Sequence, residues 1–189
     1  MRAIINGYLN RLMSNLSAPA FDQVPVLGEA FRRAWGDKKT VYFCGNGGSA
    51  GNANHLANDF TYGAGVNHGI GLRVDSLSAN PSVITCLAND IGYENIFSEQ
   101  LRVKANPEDV LLVFSGSGNS QNIINAINMG NLIGMHTYAI LGFSGGVCKT
   151  IVAHPIHFEI DDMQIAEDLQ LIIGHMVMQY LFRHGPAES

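Results

Sequence analysis

Twice in this chain, a short run of β-branched and aromatic residues leads into a serine–glycine turn that opens a segment of helical pattern. The first run, residues 40–43, leads into the first turn, CGNGGSA at residues 44–50. The second run, residues 110–114, leads into the second turn, SGSGNS at residues 115–120. A strand, a turn and a helix in this order form the repeating unit of a parallel sheet covered by helices. The repeat therefore predicts an α/β fold.

The rest of the chain alternates in the same way, and no linker, repeat or low-complexity segment interrupts it. Further strands are expected at residues 70–74, 136–141 and 154–158, and helices at 2–16, 21–35, 49–62, 81–88, 92–103, 120–133 and 163–182. We predict one domain with a flavodoxin-like parallel sheet and helices on both faces, over residues 37–184. Residues 1–36 would form a helical arm for oligomer packing, and residues 185–189 a frayed tail.

Both turns have the chemistry of an anion site. Backbone N–H groups point outward at the start of a helix, where the helix dipole adds roughly half a positive charge. Neither turn contains lysine or arginine, so we expect a compact phosphate held by amides and hydroxyls, as in a sugar phosphate. Two alternatives stay open. The first turn could bind a dinucleotide, because Gly45, Gly47 and Ala50 fit the fingerprint of such sites, with Asp75 as a loosely spaced acidic residue. Both segments could also be tight turns that bind no ligand.

Composition narrows the class of protein. The chain has 189 residues, of which 47% are hydrophobic and 14% charged, with a formal net charge of −5. The negative balance argues against nucleic acid as a ligand, and the sparse charge suggests a surface covered by partner subunits. The 3 cysteines form no CxxC pair, which favours a reducing cytoplasm. No apolar run approaches the roughly 20 residues of a membrane span, so no membrane association is expected.

Two helical segments carry candidate chemistry. His55 and Asp59 are four residues apart, so they share a helix face, as half of a divalent-metal site or as an ordinary surface hydrogen bond. Glu167 and His175 interrupt an apolar run in the last helix. Because eight residues of helix rise about 12 Å, these two meet one ligand only by reaching toward each other or from different subunits. The pair Asn89-Asp90 is either a helix cap or a clamp for sugar hydroxyls.

At these residues the chain resembles the SIS (sugar isomerase) domain family, and within it the bacterial phosphoheptose isomerases. The matching segments are CGNGGSAGNANH (44–55), LANDIGYENIF (87–97), SGSGNS (115–120) and AEDLQLIIGH (166–175). The resemblance covers nearly the whole chain, and the first segment is specific for this branch. It implies a cytoplasmic homotetramer with active sites between subunits. Its reaction would convert sedoheptulose 7-phosphate into D-glycero-D-manno-heptose 7-phosphate through an enediol, for lipopolysaccharide or capsule biosynthesis.

The resemblance also implies the site residues. Asp59 and His175 would transfer protons. Zinc, or another divalent metal, would bind His55, Asp59, Glu167 and His175. Substrate contacts would fall on Asn46, Gly47, Gly48, Ser49, Asp59, Asn89, Asp90, Ser115, Gly116, Ser117, Ser120 and Glu167.

Four positions depart from the family pattern. Asp59 stands for a glutamate one methylene longer, Glu167 for a glutamine, Gly116 for a threonine and Gly63 for an arginine. These departures leave two alternatives beside the heptose isomerase. One is a non-catalytic module that binds a sugar phosphate or a protein such as a replication initiator. The other is an isomerase for a different phosphosugar, because the two glycines would enlarge the pocket.

Overall fold

A five-stranded parallel sheet runs through residues 1–188, the part of the chain that the computed structural model describes. Its strands are β1 (Thr40–Gly45), β2 (Arg73–Ser76), β3 (Val110–Ser115), β4 (His136–Leu141) and β5 (His154–His157). They lie in the order β2-β1-β3-β4-β5, and each neighbouring pair is parallel. This is the flavodoxin-like order, in which ligands bind at the switch point between β1 and β3. The predicted α/β fold is confirmed.

Helices cover both faces of the sheet. They are α1 (Arg2–Asn15), α2 (Val24–Gly36), α3 (Gly48–Thr61), α4 (Pro81–Ile91), α5 (Ser98–Lys104), α6 (Gln121–Ile133), α7 (Cys148–Ile151) and α8 (Met163–His184). Short 3-10 turns occur at Pro19–Gln23, Gly63–Gly65 and Tyr93–Asn95. None of the helices in residues 1–188 has the length and apolar character needed to cross a bilayer.

Strand alternation divides the core into two layers. In β1, Val41 and Phe43 face the layer formed with α2, α3 and α8, whereas Tyr42 and Cys44 face the layer formed with α5 and α6. Successive side chains of a strand point to opposite faces, and both faces are covered, so the strands read as continuous apolar runs. In the first layer, Phe43 contacts three rings with centroids 5.7–5.9 Å away: Phe31, Phe60 and Phe114.

The two N-terminal helices differ in their packing. Helix α2 belongs to the core, since its Leu27 and Phe31 are fully buried. Helix α1 has no fully buried residue, although its Tyr8 and Leu12 pack partly buried on the core, and two polar contacts join it to α8 and its N-cap residue. Tyr8 donates a hydrogen bond to Asp168, and Arg11 pairs with Asp162 at 2.9 Å. The predicted boundary of an arm at residue 36 remains a prediction, although α2 packs as part of the domain.

Three local details differ from the sequence-based expectation. Strand β2 begins at Arg73 rather than at residue 70, because a bend at 69–70 and a close approach at Gly71, where a Cβ would lie 1.8 Å from the Thr61 carbonyl oxygen, precede it. The helix predicted over 92–103 is reduced to α5, because Gly92 with φ +91° ends α4 and a 3-10 turn follows. Helix α7 was not predicted.

The expected frayed tail is also corrected. Gly185 is buried, and the Ala187 N–H donates to the Arg32 carbonyl at 3.1 Å. The tail therefore packs on α2 as far as it is described. Ser189, the last residue of the predicted tail, lies outside the described residues.

Candidate active site

The two serine–glycine turns begin side by side at the carboxyl edge of the sheet. Gly45 at the end of β1 is the register partner of Phe114 near the end of β3. These adjacent strands define the switch point of the sheet, so both turns and the first residues of α3 and α6 surround one crevice. The predicted anion-binding segments are thus brought together by topology.

Internal hydrogen bonds shape the second turn. The Gly118 N–H donates to the Ser115 hydroxyl at 3.0 Å, and the Asn119 N–H donates to the Ser117 hydroxyl at 3.3 Å. Gly118 has φ +68°, and a Cβ there would lie 2.0 Å from the Gly145 carbonyl, so only glycine fits. Ser120 is the N-cap residue of α6 without a side-chain capping bond. Its hydroxyl has no hydrogen-bond partner within residues 1–188 and is available to a ligand.

In the first turn, Gly47 and Gly48 are exposed, and Gly47 adopts φ +55° with ψ −122°, a conformation suited to glycine. This geometry exposes the amides at the start of α3. Ser49 lies differently from its neighbours. It is 4% exposed, and its hydroxyl accepts a hydrogen bond from Gln170 Nε2 at 3.1 Å. A ligand at this turn therefore meets backbone N–H groups rather than the Ser49 hydroxyl.

His55, Asp59 and His175 form one cluster where α3 packs on α8. Gly174 permits this contact, because a Cβ there would lie 2.4 Å from the Leu56 side chain. The His55 and His175 Nε2 atoms are 3.0 Å apart. Asp59 Oδ2 lies 3.5 Å from His55 Nε2 and 3.6 Å from His175 Nε2. The side chains of the two histidines are about half exposed, at 49% and 45%, so the cluster is open to a ligand.

The cluster fits a divalent metal. Zinc bonds of about 2.0–2.2 Å at tetrahedral angles hold ligand atoms about 3.3–3.6 Å apart. The two His–Asp separations, 3.5 and 3.6 Å, fall in this range, and the shorter His–His separation of 3.0 Å is that of a hydrogen bond between the rings. Two imidazoles and one carboxylate also match the three-ligand sets of catalytic zinc sites, which keep one position open for substrate.

Glu167, the fourth expected ligand, is not part of this cluster. Its carboxylate lies at the start of α3, where a Cβ added to Gly48 would be 2.4 Å from Glu167 Oε2. A carboxylate at this helix N-terminus is stabilised by the helix dipole. Glu167 thus lies beside the first turn, between that turn and α8, where its charge faces any ligand of the crevice.

Asn89 and Asp90 lie in the last turn of α4, and both are exposed. Asn89 Nδ2 donates to Asp90 Oδ1 at 2.8 Å. The Asp90 carboxylate also accepts from the Cys86 thiol at 3.5 Å, and this hydrogen bond, together with the negative charge, raises the pKa of Cys86. Neither side chain caps α4, whose N-cap is Asn80, so both remain available for ligand hydroxyls.

The sequence analysis did not identify four polar residues of the site: Asn52, Tyr93, Asn122 and Gln170. Gln170, 1% exposed, accepts from Asn52 Nδ2 at 2.9 Å while it donates to Ser49, and so joins α8 to the first turn of α3. Asn122 and Tyr93 both bind the Asn46 side chain. A polar residue in an apolar stretch, as Gln170 is, signals a buried hydrogen-bond partner, but the sequence does not say which one.

The two glycines that depart from the family pattern do not leave open space. A Cβ at Gly116 would lie 2.4 Å from Met163 Sδ, and one at Gly63 would lie 2.9 Å from Met178 Cε. A methionine side chain therefore occupies the position next to each glycine. The prediction that these two glycines enlarge the pocket is therefore wrong.

The sequence and the fold match known proteins over most of the chain. The SIS domain model matches residues 6–142. A phosphoheptose isomerase from Geotalea daltonii is 32% identical over 171 residues, which is 90% of this chain and 88% of that protein. A phosphoheptose isomerase from Helicobacter pylori is 35% identical over 144 residues, 76% of this chain and 74% of that protein. The structure of phosphoheptose isomerase GmhA from Neisseria gonorrhoeae has the same fold, with a TM-score of 0.87, 24% identity and 95% of each chain covered. The chain belongs to the SIS domain family.

Proposed function

We propose that this protein is an aldose–ketose isomerase that interconverts sedoheptulose 7-phosphate and D-glycero-D-manno-heptose 7-phosphate. Two relatives at 32% and 35% identity are phosphoheptose isomerases, and the chain spans 88% and 74% of their lengths. The observation that carries the proposal is the cluster of His55, Asp59 and His175, in which Asp59 lies within 3.6 Å of both imidazoles. Proton transfer next to a carbonyl requires such a base beside such an acid.

The substrate phosphate binds at the second turn. Ser117 and Ser120 offer hydroxyls, and the first N–H groups of α6 offer donors without an intrahelical partner. The sugar then extends past the first turn toward His55 and His175, with Asn89 and Asp90 facing its hydroxyls. Ser115 and Gly116 contribute backbone groups, because Ser115 is buried, at 6% exposure.

The isomerisation moves two protons. One leaves C1 of the ketose and returns to C2 of the aldose, and the other moves from O1 to O2. Asp59 takes the proton from carbon, since a carboxylate accepts but does not donate when ionised. His175 takes the proton from one oxygen and gives a proton to the other, because an imidazole can both accept and donate a proton near neutral pH. Asp59 and His175 each give back as many protons as they take, so the enzyme returns to its starting state after each turnover.

His55, Asp59 and His175 would hold a divalent cation, most simply zinc, whereas Glu167, the fourth predicted ligand, lies beside the first turn and outside this cluster. When bound, such an ion polarises a carbonyl and stabilises developing negative charge on its oxygen. The shortened Asp59 does not remove the carboxylate from the cluster, because its Oδ2 still reaches both imidazoles. This counts against the reading of a non-catalytic module.

The working form is a cytoplasmic homotetramer. Its product serves lipopolysaccharide or capsule biosynthesis. Helix α1 supports an assembly, because it exposes apolar side chains that a partner would cover. These are Ile4, Ile5, Leu9 and Met13. All three cysteines are free, which suits a reducing compartment. Light scattering at micromolar concentration tests the assembly, and a monomer would contradict it.

Nuclear magnetic resonance in deuterated water tests the activity. The zinc-loaded protein is incubated with sedoheptulose 7-phosphate, and we expect one deuteron at C2 of a new aldose together with exchange at C1 of the ketose. A parallel sample treated with a chelator shows whether the ion is needed. No exchange with metal-loaded protein would exclude this substrate and direct the search to another phosphosugar. No exchange from protein that binds no metal would favour the binding module.

A further inference from the structure

The side-chain amide of Asn46 is tied to two other segments of the crevice. Its Oδ1 accepts from Asn122 Nδ2 at 2.8 Å and from the Tyr93 hydroxyl at 2.9 Å. Its Nδ2 donates to Asn122 Oδ1 at 2.9 Å. The two amides thus form a closed pair, and both lone pairs of Asn46 Oδ1 are used. One amide proton of Asn46 is left for a substrate, so its side chain serves mainly to hold protein segments.

Each partner of Asn46 lies next to residues expected to contact the substrate. Asn122 is 2% exposed and is the second residue of α6, directly after the second turn. Tyr93 follows Asp90 by three residues, and Gly92, with φ +91°, turns the chain between them. One amide therefore connects the first turn, the second turn and the end of α4.

Packing alone does not fix the end of α4. Ile84, Leu87 and Ala88 of this helix pack partly buried on the core, but no residue of the helix is fully buried, so polar contacts at its end add to the packing that places it. The Tyr93 side chain is exposed, at 54%, and its hydroxyl bond to Asn46 is not a core contact. Asn125 Nδ2 adds a second anchor, because it donates to the Glu94 carbonyl at 2.9 Å. Of the two anchors, the Tyr93 bond is the one that reaches the first turn.

We propose that Asn46, Asn122 and Tyr93 form an amide junction that sets the spacing of the three substrate-binding segments. Tyr93 and Asn122 are then positioning residues for the isomerisation, and this inference rests on the proposed function. A reacting carbon must lie within tenths of an ångström of its base, and a misplacement of about 1 Å costs about 100-fold in rate. A flexible α4 would let the sugar drift from Asp59 while the phosphate stays bound.

The substitution Tyr93→Phe tests the junction with the smallest change, the loss of one hydroxyl. We expect kcat on sedoheptulose 7-phosphate to fall about tenfold, and the inhibition constant of inorganic phosphate to stay within twofold. The second turn keeps its own bonds, so phosphate affinity is not expected to change. Tyr42→Phe is the matched control: it also loses one hydroxyl bond, to the Lys104 carbonyl at 2.9 Å, without joining segments of the crevice. Its kcat should equal that of the wild type.

Two further measurements separate this inference from the proposed function. Hydrogen–deuterium exchange needs no turnover, and Tyr93→Phe should speed exchange of the α4 amides about fivefold, whereas Tyr42→Phe should not. Asn122→Ala, combined with Tyr93→Phe, should give less than the product of the single effects on kcat, because both break the same junction. Unchanged exchange in Tyr93→Phe would overturn the junction even if the wild type proves inactive on this sugar. Faster exchange with wild-type kcat would overturn the positioning role.

Discussion

His55 and His175 stand 120 residues apart in the chain, and their Nε2 atoms face each other at 3.0 Å. At this contact one Nε2 must donate and the other accept, so the two rings carry different proton arrangements. Asp59 Oδ2 lies beside both. The three groups therefore form a unit in which a proton or a cation can be held, and the loss of one member affects the other two.

Replacing His175 by alanine should lower kcat on sedoheptulose 7-phosphate at least about 100-fold, the usual contribution of a positioned acid or base. Binding of the sugar phosphate, measured by calorimetry, should weaken less than threefold, because the phosphate contacts lie in the turns. His184→Ala is the control: His184 lies on the same helix and is exposed, and it contacts Tyr180, through a hydrogen bond to its carbonyl at 2.8 Å and through its ring at a centroid distance of 4.4 Å. Wild-type turnover in His175→Ala would refute its assigned role.

The zinc content of two variants distinguishes a site with three ligands, His55, Asp59 and His175, from a site that also includes Glu167. Asp59→Asn should weaken zinc binding at least about 100-fold, because it removes a charged ligand atom from the cluster. Glu167→Ala should change zinc affinity less than threefold, since Glu167 lies against Gly48 rather than in the cluster. Zinc per subunit is measured by mass spectrometry after dialysis against a buffered ion. Loss of zinc from Glu167→Ala would establish Glu167 as the fourth ligand.

The sheet was predictable because its signals are local. Residues 40–43 and 110–114 are apolar on both faces, as strands covered by helices must be, and each ends in a glycine turn. The errors lie where a glycine decides the backbone path. Gly71 delays β2 and Gly92 shortens the following helix, because each needs a conformation or a close approach that periodicity does not encode.

The candidate site was predictable as a list of residues, but not as a geometry. The spacing of His55 and Asp59 indicates a shared face, whereas their meeting with His175 depends on the packing of Leu56 on Gly174. The partners of Asn46 were missed because their contacts span 76 and 47 residues. Hydrogen bonds over such separations follow from the tertiary fold, and no local pattern announces them.

Stability should fall between pH 10 and pH 12 because of two tyrosines. The hydrogen bond to Asp168, aided by partial burial, raises the pKa of Tyr8 from 10.0 to about 12, and burial raises that of Tyr42 to about 12. The folded state then holds these protons more tightly than the unfolded state. Their contribution is complete below pH 10 and is lost as the pH rises through about 12. Urea unfolding of Tyr8→Phe should show a shallower decline over this window.

Tyr8→Phe should also be less stable than the wild type at pH 8, because Asp168 loses the hydroxyl that it accepts from. Tyr62→Phe is the control for the pH effect, since Tyr62 is 76% exposed, and its decline should parallel that of the wild type. An equal slope in Tyr8→Phe and the wild type would mean that the contact between α1 and α8 does not hold the proton.

The Gly116 position offers a test of how the second turn is packed. A Cβ there would lie 2.4 Å from Met163 Sδ and 2.9 Å from Met163 Cε. Gly116→Thr, which restores the residue type of the family pattern, must therefore displace Met163. We expect the single variant to lose about 1 kcal/mol of stability, at the low end for overpacking, because Met163 is 37% exposed and can swing outward. The KM for the sugar phosphate should rise about threefold.

Removing the obstacle should restore the turn. The double variant Gly116→Thr with Met163→Ala should regain wild-type KM and most of the lost stability, so that the two substitutions are not additive. Met176→Ala is the matched partner for comparison, because Met176 lies on the same helix and is 45% exposed. Combined with Gly116→Thr it should give no recovery. Thermal unfolding measures the stability of each variant, and steady-state kinetics measures its KM. Equal recovery with either alanine would show that Met163 is not the side chain that obstructs a threonine at residue 116.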